Sequence, residues 1–394
     1  MGEAVASGPP MRLLMLSHYF EARLGGIEMV AAALAHSLPP LGFSVVWLAS
    51  GAAGDSRGSG CSRRSLRTSS VAERLLRIPY PILFPSAWRA IFREAGHSDI
   101  ILVHDALYMT SILGWLAARA HRKPFVIVQH IGFVPYEGAA LRTLMKLANR
   151  CVAVPLLRRA NRVVFISQLT QRYFSRIRWR ATPALIYNGV DTTIFRPASS
   201  AEEVEANRKQ LGLPVDIPVA LFVGRFTPKK GLRILERTAR IRPDICFACA
   251  GQGELDPTRW GLENVRVYAS LAGSALASLY RASDLLVLPS VGEGFPLVVQ
   301  EALACGLPIV CGSDTAGADL RAAAFLSGVE LDFADPDRTA SQVSEELTRI
   351  LARPASPSQR RERFEFARTH YSWARSSSSY AELLRDLRAR TLSS

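Results

Sequence analysis

The chain has 394 residues, of which 48% are hydrophobic and 21% charged, enough for two domains that each bury their own core. It contains no run of about 18 apolar residues, so no segment is predicted to span a bilayer. The net charge of +14 is uneven, because residues 1–195 hold 23 basic and 10 acidic residues and so account for +13. This asymmetry predicts an anionic partner for the first half, either a membrane surface or a nucleic acid.

The first half of the chain begins with a segment, MGEAVASGPP, that is predicted to be a disordered tail. It lacks the basic start and apolar centre of a secretory signal, and Met11 is a candidate initiator. Apolar strands then alternate with helical stretches, and a Gly-, Ser- and Arg-rich stretch at 51–70 is predicted to be a flexible loop. The predicted strands of this half are 11–17, 43–50, 99–105, 124–130, 162–167 and 184–189.

The second half restarts the alternation after YNGVDTTIFRP (187–197), a stretch of turn-forming residues. Its predicted strands are 218–226, 245–251, 265–270, 285–290 and 308–313. The pattern predicts two consecutive doubly wound, Rossmann-like α/β domains with a ligand cleft between them. The predicted domains are 11–195 and 196–372, followed by a carboxyl-terminal helix at 373–394 that is expected to pack back towards the first domain.

Two loops of the second half follow predicted strands and are rich in glycine and basic residues. The first, VGRFTPKKGL (223–232), contains Gly224, which permits close approach of a ligand, and the cations Arg225 and Lys230. These cations suit a phosphate clamp, although a solvated basic turn explains them equally well. The second loop, AGQGEL (250–255), places Gly251 at a strand end, which by itself is a weak signal.

A third loop, PSVGEGFPLVVQE (289–301), carries two glutamates. Glu293 lies in the glycine turn, whereas Glu301 lies inside an apolar helix that Gly306 is predicted to end. Pro296 is predicted to occupy the first turn, whose exposed backbone amides can bind a phosphate. A carboxylate in this apolar setting needs hydrogen-bond partners such as ribose hydroxyls, or it lies on the helix surface.

Four segments in order, GRFTPKKGL, GQGEL, LYRASDLLVLPS and EGFPLVVQEALACGLPIV, closely resemble the nucleotide-sugar domain of family 4 of the retaining glycosyltransferases, which have the GT-B fold. The paired glutamates are the signature of that family. In the first half, GGIEMVAAALAHSLPPLGFSVVWL resembles the first loop and helix of the family, VVQHIGF its cleft-facing histidine, and NGVDTTIFRP its interdomain connector.

The resemblance implies a role for each matching residue. Arg225 and Lys230 would hold the donor diphosphate and stabilise the charge of the leaving group. Glu301 would bind the ribose, and Glu293 would orient the transferred sugar, which His130 would touch from the other domain. The remaining implied donor-binding residues are Gly25, Gly26, Gly224, Gly251, Gly294, Phe295, Pro296 and Leu297.

The resemblance also implies transfer with retained anomeric configuration, with no assigned nucleophile, no cofactor and no metal. The donor is expected to be linked to UDP or GDP. The one Asp-x-Asp pattern, Asp335 and Asp337, is predicted to be a helix-capping turn. Cys246 and Cys249 form a CxxC pattern in a predicted buried strand, where core packing is favoured over a metal or redox role.

Two basic segments of the first half, 74–96 and 141–162, mix aromatic or aliphatic residues with arginines. Such segments suit anionic lipid headgroups, so we expect a cytoplasmic enzyme that binds peripherally to the inner face of the membrane. The expected acceptor is a saccharide or a lipid-linked acceptor. The expected role is in cell-envelope or exopolysaccharide synthesis. Two alternatives remain: a GT-B sugar epimerase or phosphorylase, and a basic nucleic-acid-binding protein.

Overall fold

Two α/β units form the chain in the computed structural model, which describes residues 9–23, 25–53, 60–71, 80–132, 139–269 and 271–392. One unit contains the described residues up to Asn188 and the segment from Trp373 onward. The other runs from Gly189 to Ser372. Predictions for the tail fall almost entirely outside the described residues, as do those for residues 74–79 of the first basic segment.

The first unit is built on a parallel sheet of seven strands in the order β3-β2-β1-β6-β7-β8-β9. Its central strands are buried along their whole length, as expected for a parallel sheet covered on both faces. The strands are β1 (Met11–Tyr19), β2 (Phe43–Ser50), β3 (Cys61–Leu66), β6 (Ile100–His104), β7 (Phe125–Gln129), β8 (Arg162–Phe165) and β9 (Ala184–Leu185), beside an antiparallel pair, β4 (Thr68–Ser69) and β5 (Ile82–Leu83).

Helices of the first unit connect these strands. The apolar segment GIEMVAAALAHS forms α1 and buries Ile27, Val30, Leu34 and three of its four alanines. A π-helical turn, Asn149–Ala153, separates two of the helices. The helices are α1 (Gly26–Ser37), α2 (Pro85–Gly96), α3 (Met109–Ala120), α4 (Ala139–Ala148), α5 (Val154–Arg159) and α6 (Gln168–Tyr173).

The second unit has a parallel sheet of six strands in the order β12-β11-β10-β13-β14-β15. These are β10 (Val219–Val223), β11 (Cys246–Ala250), β12 (Val265–Tyr268), β13 (Leu285–Leu288), β14 (Ile309–Gly312) and β15 (Leu326–Val329). Its helices are α7 (Ala201–Leu211), α8 (Leu232–Ile241), α9 (Gly273–Arg281), α10 (Leu297–Ala304), α11 (Ser313–Ala316), α12 (Pro336–Leu351) and α13 (Pro357–His370).

The last helix, α14 (Trp373–Leu392), is grouped with the first unit. Arg388 Nη2 lies 3.0 Å from Asp99 Oδ1, and the Arg385 guanidinium lies 5.6 Å from the centre of the Phe43 ring. These contacts attach the carboxyl-terminal helix to the edge of β2 and the start of β6. The chain leaves the first unit at Asn188, a few residues before the predicted boundary at 195.

One predicted loop is a strand in part. Residues 51–70 were expected to be flexible, but β3 pairs in parallel with β2 from Cys61 to Leu66. The prediction was wrong because β3 is a polar strand at the sheet edge and lacks the apolar run that indicates a buried strand. Only the first and last residues of β3 are buried. Between them, Arg63 pairs with Glu21 and lies 4.8 Å from the centre of the Trp47 ring, so its charge is satisfied in place.

All the predicted strands of both halves form parallel sheet strands, and the fold class is confirmed. Cys246 and Cys249 are buried on β11. Asp335 caps α12 by accepting a hydrogen bond from the Arg338 amide. Within the described residues, no helix has the length and apolar character needed to cross a membrane.

Candidate active site

Three loops of the second unit meet at one edge of its sheet, because β10 lies between β11 and β13 and their carboxyl ends point the same way. The loop after β11 comes very close to the loop after β10. A Cβ atom on Gly251 would lie 2.0 Å from the Gly224 carbonyl oxygen, so only glycine fits there. The predicted donor-binding loops are therefore neighbours in the structure.

An ion pair joins the first loop to the third. Lys230 Nζ lies 2.9 Å from Glu293 Oε1, and both side chains are largely buried. Burial alone would raise the pKa of Glu293, but the charges of Lys230 and Lys229, the hydrogen bond from Lys230 and the charge of Arg225 lower it to about 2. Glu293 is therefore a carboxylate held by cations at neutral pH.

Lys229 is a residue of this cluster that the sequence reasoning missed. Its Nζ lies 3.8 Å from Glu293 Oε1, and 28% of its side chain is exposed. Burial lowers the pKa of Lys229, Glu293 opposes that effect, and Lys230 and Arg225 add to it. The signal in the sequence was the first lysine of PKK, which on its own suggests only a basic turn.

Glu301 is the fifth residue of α10, and its partner lies on α9. The Tyr280 hydroxyl donates a 2.8 Å hydrogen bond to Glu301 Oε2. Burial raises the pKa of Glu301 to about 7, although the hydrogen bond from Tyr280 lowers it. Tyr280, itself fully buried, is a second residue that sequence reasoning did not select.

The segment between the glutamates forms the start of α10. Gly294, Phe295 and Pro296 are buried, and the Phe295 ring packs edge-on against Tyr371 with 5.5 Å between centroids. Pro296 is the amino-terminal cap of α10, which begins at Leu297, so the proline precedes the first turn that the sequence predicted for it. Proline fits this cap position because the backbone there is extended and proline has no N–H group to donate to a helical hydrogen bond.

The first unit has a cluster of its own, at the carboxyl end of β1 and the start of α1. Gly25 caps α1 and Gly26 is its first residue. A Cβ atom on Gly25 would lie 2.1 Å from Glu28 Oε2, whereas one on Gly26 would meet no atom within 4 Å. Glu28 is buried and lies 3.1 Å from His18 Nε2, whose ring stacks on Tyr108 at 3.8 Å.

His130 follows β7 and is buried beside a histidine from the neighbouring strand β6. Its Nε2 lies 2.9 Å from His104 Nδ1. Burial lowers the pKa of His104 to about 3 and that of His130 well below its usual value. Both imidazoles are therefore neutral, so one ring nitrogen of the pair donates and the other accepts.

Asp105 completes this edge of the first sheet. It follows β6 with a φ of 66°, a conformation that non-glycine residues seldom adopt. Its carboxylate accepts a 2.9 Å hydrogen bond from Gln129 Nε2, and burial raises its pKa to about 6. Among the described residues, no group of three or more His, Cys, Asp or Glu side chains is arranged to hold a metal ion.

Two parallel-sheet α/β units, with cation- and glycine-rich loops at the carboxyl edge of the second sheet, define the GT-B class of protein. The structure is similar to sucrose-phosphate synthase from Thermosynechococcus elongatus, with a TM-score of 0.78 and 22% identity over 96% of this chain and 100% of that one. It is also similar to Anabaena HepE in complex with UDP-glucose, with a TM-score of 0.70 and 20% identity over 95% of this chain and 100% of that one.

Two family models match the chain in sequence. Residues 24–194 match Glycosyltransferase Family 4, and residues 203–364 match Glycosyl transferases group 1. A D-inositol 3-phosphate glycosyltransferase from Thermobispora bispora is 32% identical over 64% of this chain. That match spans 63% of the relative's own length. The chain therefore belongs to family 4 of the glycosyltransferases.

Proposed function

We propose that this protein transfers a sugar from a nucleotide-sugar donor to a saccharide or lipid-linked acceptor, with retention of the anomeric configuration and without a metal. The observation that carries the proposal is the group of cations around Glu293 at the carboxyl edge of the second sheet. Lys229 and Lys230 lie 3.8 Å and 2.9 Å from one oxygen of this carboxylate. Their charge exceeds that of Glu293, which suits a diphosphate.

The cations have a clear task in such a reaction. As the bond between sugar and diphosphate breaks, negative charge grows on the departing phosphate oxygen. Arg225 and Lys230 are proposed to stabilise that charge from fixed positions, which is electrostatic catalysis without proton transfer. A site that supplies this charge from its own side chains has no need of a divalent cation for the same purpose.

Glu301 and His130 are proposed to bind the two ends of the donor. The Glu301 carboxylate would accept hydrogen bonds from ribose hydroxyls while Tyr280 holds its other oxygen. His130 is a neutral imidazole and would act as a hydrogen-bond partner of the transferred sugar rather than as a cationic acid. Glu293 would orient that sugar, so its removal should lower turnover more than donor affinity.

The donor is tested by thermal shift with UDP-, GDP- and ADP-sugars in the presence of EDTA. A ligand that binds only the folded state raises the melting temperature by mass action. We expect one nucleotide class to stabilise the protein and Glu301→Ala to abolish most of that shift. UDP-glucose is the first donor to try, because HepE, which has the same fold, was solved with it. Absence of any shift in folded wild-type protein would contradict the proposal.

The acceptor and the reaction type are tested by product analysis. D-inositol 3-phosphate is one acceptor to test, because the Thermobispora bispora relative is a D-inositol 3-phosphate glycosyltransferase. A polyprenyl-linked saccharide is the second acceptor to test. Retention is read from the coupling constant of the anomeric proton in the product. Conversion of the nucleotide sugar into its epimer without an acceptor would instead support the epimerase alternative. Phosphate-dependent release of sugar 1-phosphate would support the phosphorylase alternative.

An anionic membrane surface is the proposed partner of the basic first unit. Trp88 on α2 and Leu147 on α4 are exposed by 42% and 56%, and both helices carry basic residues. Aromatic and aliphatic side chains flanked by cations suit the interface of an anionic bilayer.

Vesicle flotation tests this partner. Binding is expected with phosphatidylglycerol-containing vesicles and should weaken as salt is raised. The double variant Trp88→Ala/Leu147→Ala should bind less, whereas Leu320→Ala, which removes an exposed leucine from the second unit, should not change binding. Salt-sensitive retention on DNA with no vesicle binding would favour the nucleic-acid alternative.

A further inference from the structure

The turn that carries Lys229 and Lys230 is fixed against the loop that carries Glu293. The Val291 amide donates a 3.0 Å hydrogen bond to the Lys229 carbonyl oxygen. Two residues further on, Gly231 has a φ of 74°, and a Cβ atom there would lie 1.9 Å from the Pro289 carbonyl oxygen. The backbone therefore holds both lysines in a fixed register beside Glu293.

The two lysines differ in how closely they hold the carboxylate. Lys230 Nζ makes the direct contact at 2.9 Å, and Lys229 Nζ lies behind it at 3.8 Å from the same oxygen. Either lysine is sufficient to neutralise Glu293. Placing a second ammonium in a partly buried position beside another cation costs free energy, as the lowered pKa of Lys229 shows. One lysine is enough to neutralise Glu293 in the ligand-free protein. We therefore expect the second lysine to act when a ligand is bound.

A bound diphosphate changes this balance. Under the proposed function, Lys230 turns from Glu293 to the donor phosphates, which are stronger partners for an ammonium group. Glu293 is then a largely buried carboxylate that has lost its nearest cation. Burial favours the neutral acid, and a protonated Glu293 would accept fewer hydrogen bonds from a sugar than the carboxylate does.

We propose that Lys229 is a positioning residue that takes over from Lys230 as the counter-ion of Glu293 when the donor binds. A movement of about 1 Å brings Lys229 Nζ from 3.8 Å to hydrogen-bond distance of Glu293 Oε1. Lys229 thereby keeps Glu293 ionised and aimed at the transferred sugar, while Lys230 and Arg225 hold the diphosphate. Among the described residues, these three cations are the charged groups with the largest effects on Glu293.

This inference depends on the proposed function and separates the two lysines by what each one binds. Lys230→Met removes a phosphate ligand and should weaken binding of UDP and UDP-glucose alike, by about 10-fold or more. Lys229→Met should weaken UDP binding clearly less than Lys230→Met does, because it removes no phosphate ligand and costs only the charge compensation of Glu293. It should lower kcat about 10-fold. Each factor of 10 corresponds to 1.4 kcal/mol of binding or activation free energy.

The pH profile gives a readout that a merely structural lysine would not change. In Lys229→Met, kcat should recover as pH rises, because Glu293 in the donor complex would then titrate within the measured range. Lys229→Arg should restore the wild-type profile. Lys209→Met, on the exposed face of α7, is the matched control and should behave as wild type in every assay.

The experiment combines calorimetry with UDP and UDP-glucose and kcat over about pH 5.5–8.5 for the four variants. If neither UDP nor UDP-glucose stabilises the wild type, GDP and GDP-mannose are used instead. Equal loss of UDP affinity in Lys229→Met and Lys230→Met would show that Lys229 is a phosphate ligand and overturn the inference. Unchanged kcat and pH profile in Lys229→Met would also overturn it. Failure of wild type to bind any nucleotide sugar would instead remove the proposed function, and this inference with it.

Discussion

The Tyr280 hydroxyl donates a 2.8 Å hydrogen bond to Glu301 Oε2, and so links α9 to the helix that begins at the glutamate-rich loop. Tyr280 is buried and Glu301 is partly buried, and burial raises the pKa of the carboxyl to about 7. A carboxyl that titrates near neutral pH in a proposed ribose site makes donor binding depend on pH.

Affinity for UDP-glucose should increase as pH rises through about 7. Above that pH Glu301 is a carboxylate and accepts hydrogen bonds from ribose hydroxyls, whereas below it the protonated group accepts fewer. The donor's own diphosphate does not titrate in this range because both phosphates are esterified or bridged. Calorimetric Kd values from about pH 5.5 to 8.5 measure the effect. Glu301→Gln should bind weakly at every pH; a slope that persists in this variant would contradict the assignment.

Tyr280→Phe should weaken donor binding by up to about 10-fold at pH 7, because loss of the hydrogen bond raises the pKa of Glu301 and leaves less of it ionised. The edge contact of this ring with Phe195, at 5.6 Å between centroids, is kept in the variant, so folding should be preserved. Without the hydroxyl, the pKa of Glu301 should rise, and the midpoint of donor binding should move to higher pH. The same pH titration measures it, and an unchanged midpoint would show that Tyr280 does not act through Glu301.

Gly231→Ala should destabilise the second unit by about 3 kcal/mol, in the range of severe single substitutions. The new Cβ atom would lie 1.9 Å from a backbone oxygen, in a left-handed conformation. Gly212→Ala is the matched control: its φ is 65°, but a Cβ atom there would have no other atom within 4 Å, so about 1 kcal/mol is expected. Melting temperatures of the two variants compare them, and equal losses would exclude the close contact as the cause.

The Cε1 protons of His104 and His130 should not titrate in NMR spectra between about pH 5 and 8. Burial lowers both pKa values, so both imidazoles stay neutral while an unfolded chain would take up protons below about pH 6.5. Their contribution to stability is therefore present at neutral pH and is lost as pH falls below that value. Movement of either resonance with a midpoint near 6.5 would show that the pair is solvated and can carry charge.

Much of the fold was predictable because buried parallel strands are short apolar runs bounded by turns. The segments FVIVQ and VALFV are examples, since each is buried throughout and each forms a strand at the predicted place. The strand β3 was not predictable in this way. Its sequence, CSRRSL, pairs with β2 at the sheet edge and keeps polar side chains, so its strand character comes from the neighbour and not from its own residues.

Part of the candidate site was predictable for a similar reason. Glycines, cations and glutamates stand directly after apolar strands, and parallel strands bring such positions to one edge of a sheet. Partners from distant segments gave no such signal. Tyr280 contacts Glu301 from another helix, and His104 contacts His130 from the neighbouring strand.

Periodicity and loop composition are local properties, so the sequence by itself was sufficient to predict two α/β units, and the resemblance of its loop motifs indicated family 4 of the glycosyltransferases. Which charges meet depended on the three-dimensional fold. Lys229 and Lys230 are adjacent in sequence, yet one makes a direct ion pair with Glu293 and the other lies 3.8 Å away. The turn ending at Gly231, held against Pro289, sets that difference, and such long-range backbone contacts cannot be derived from either segment alone.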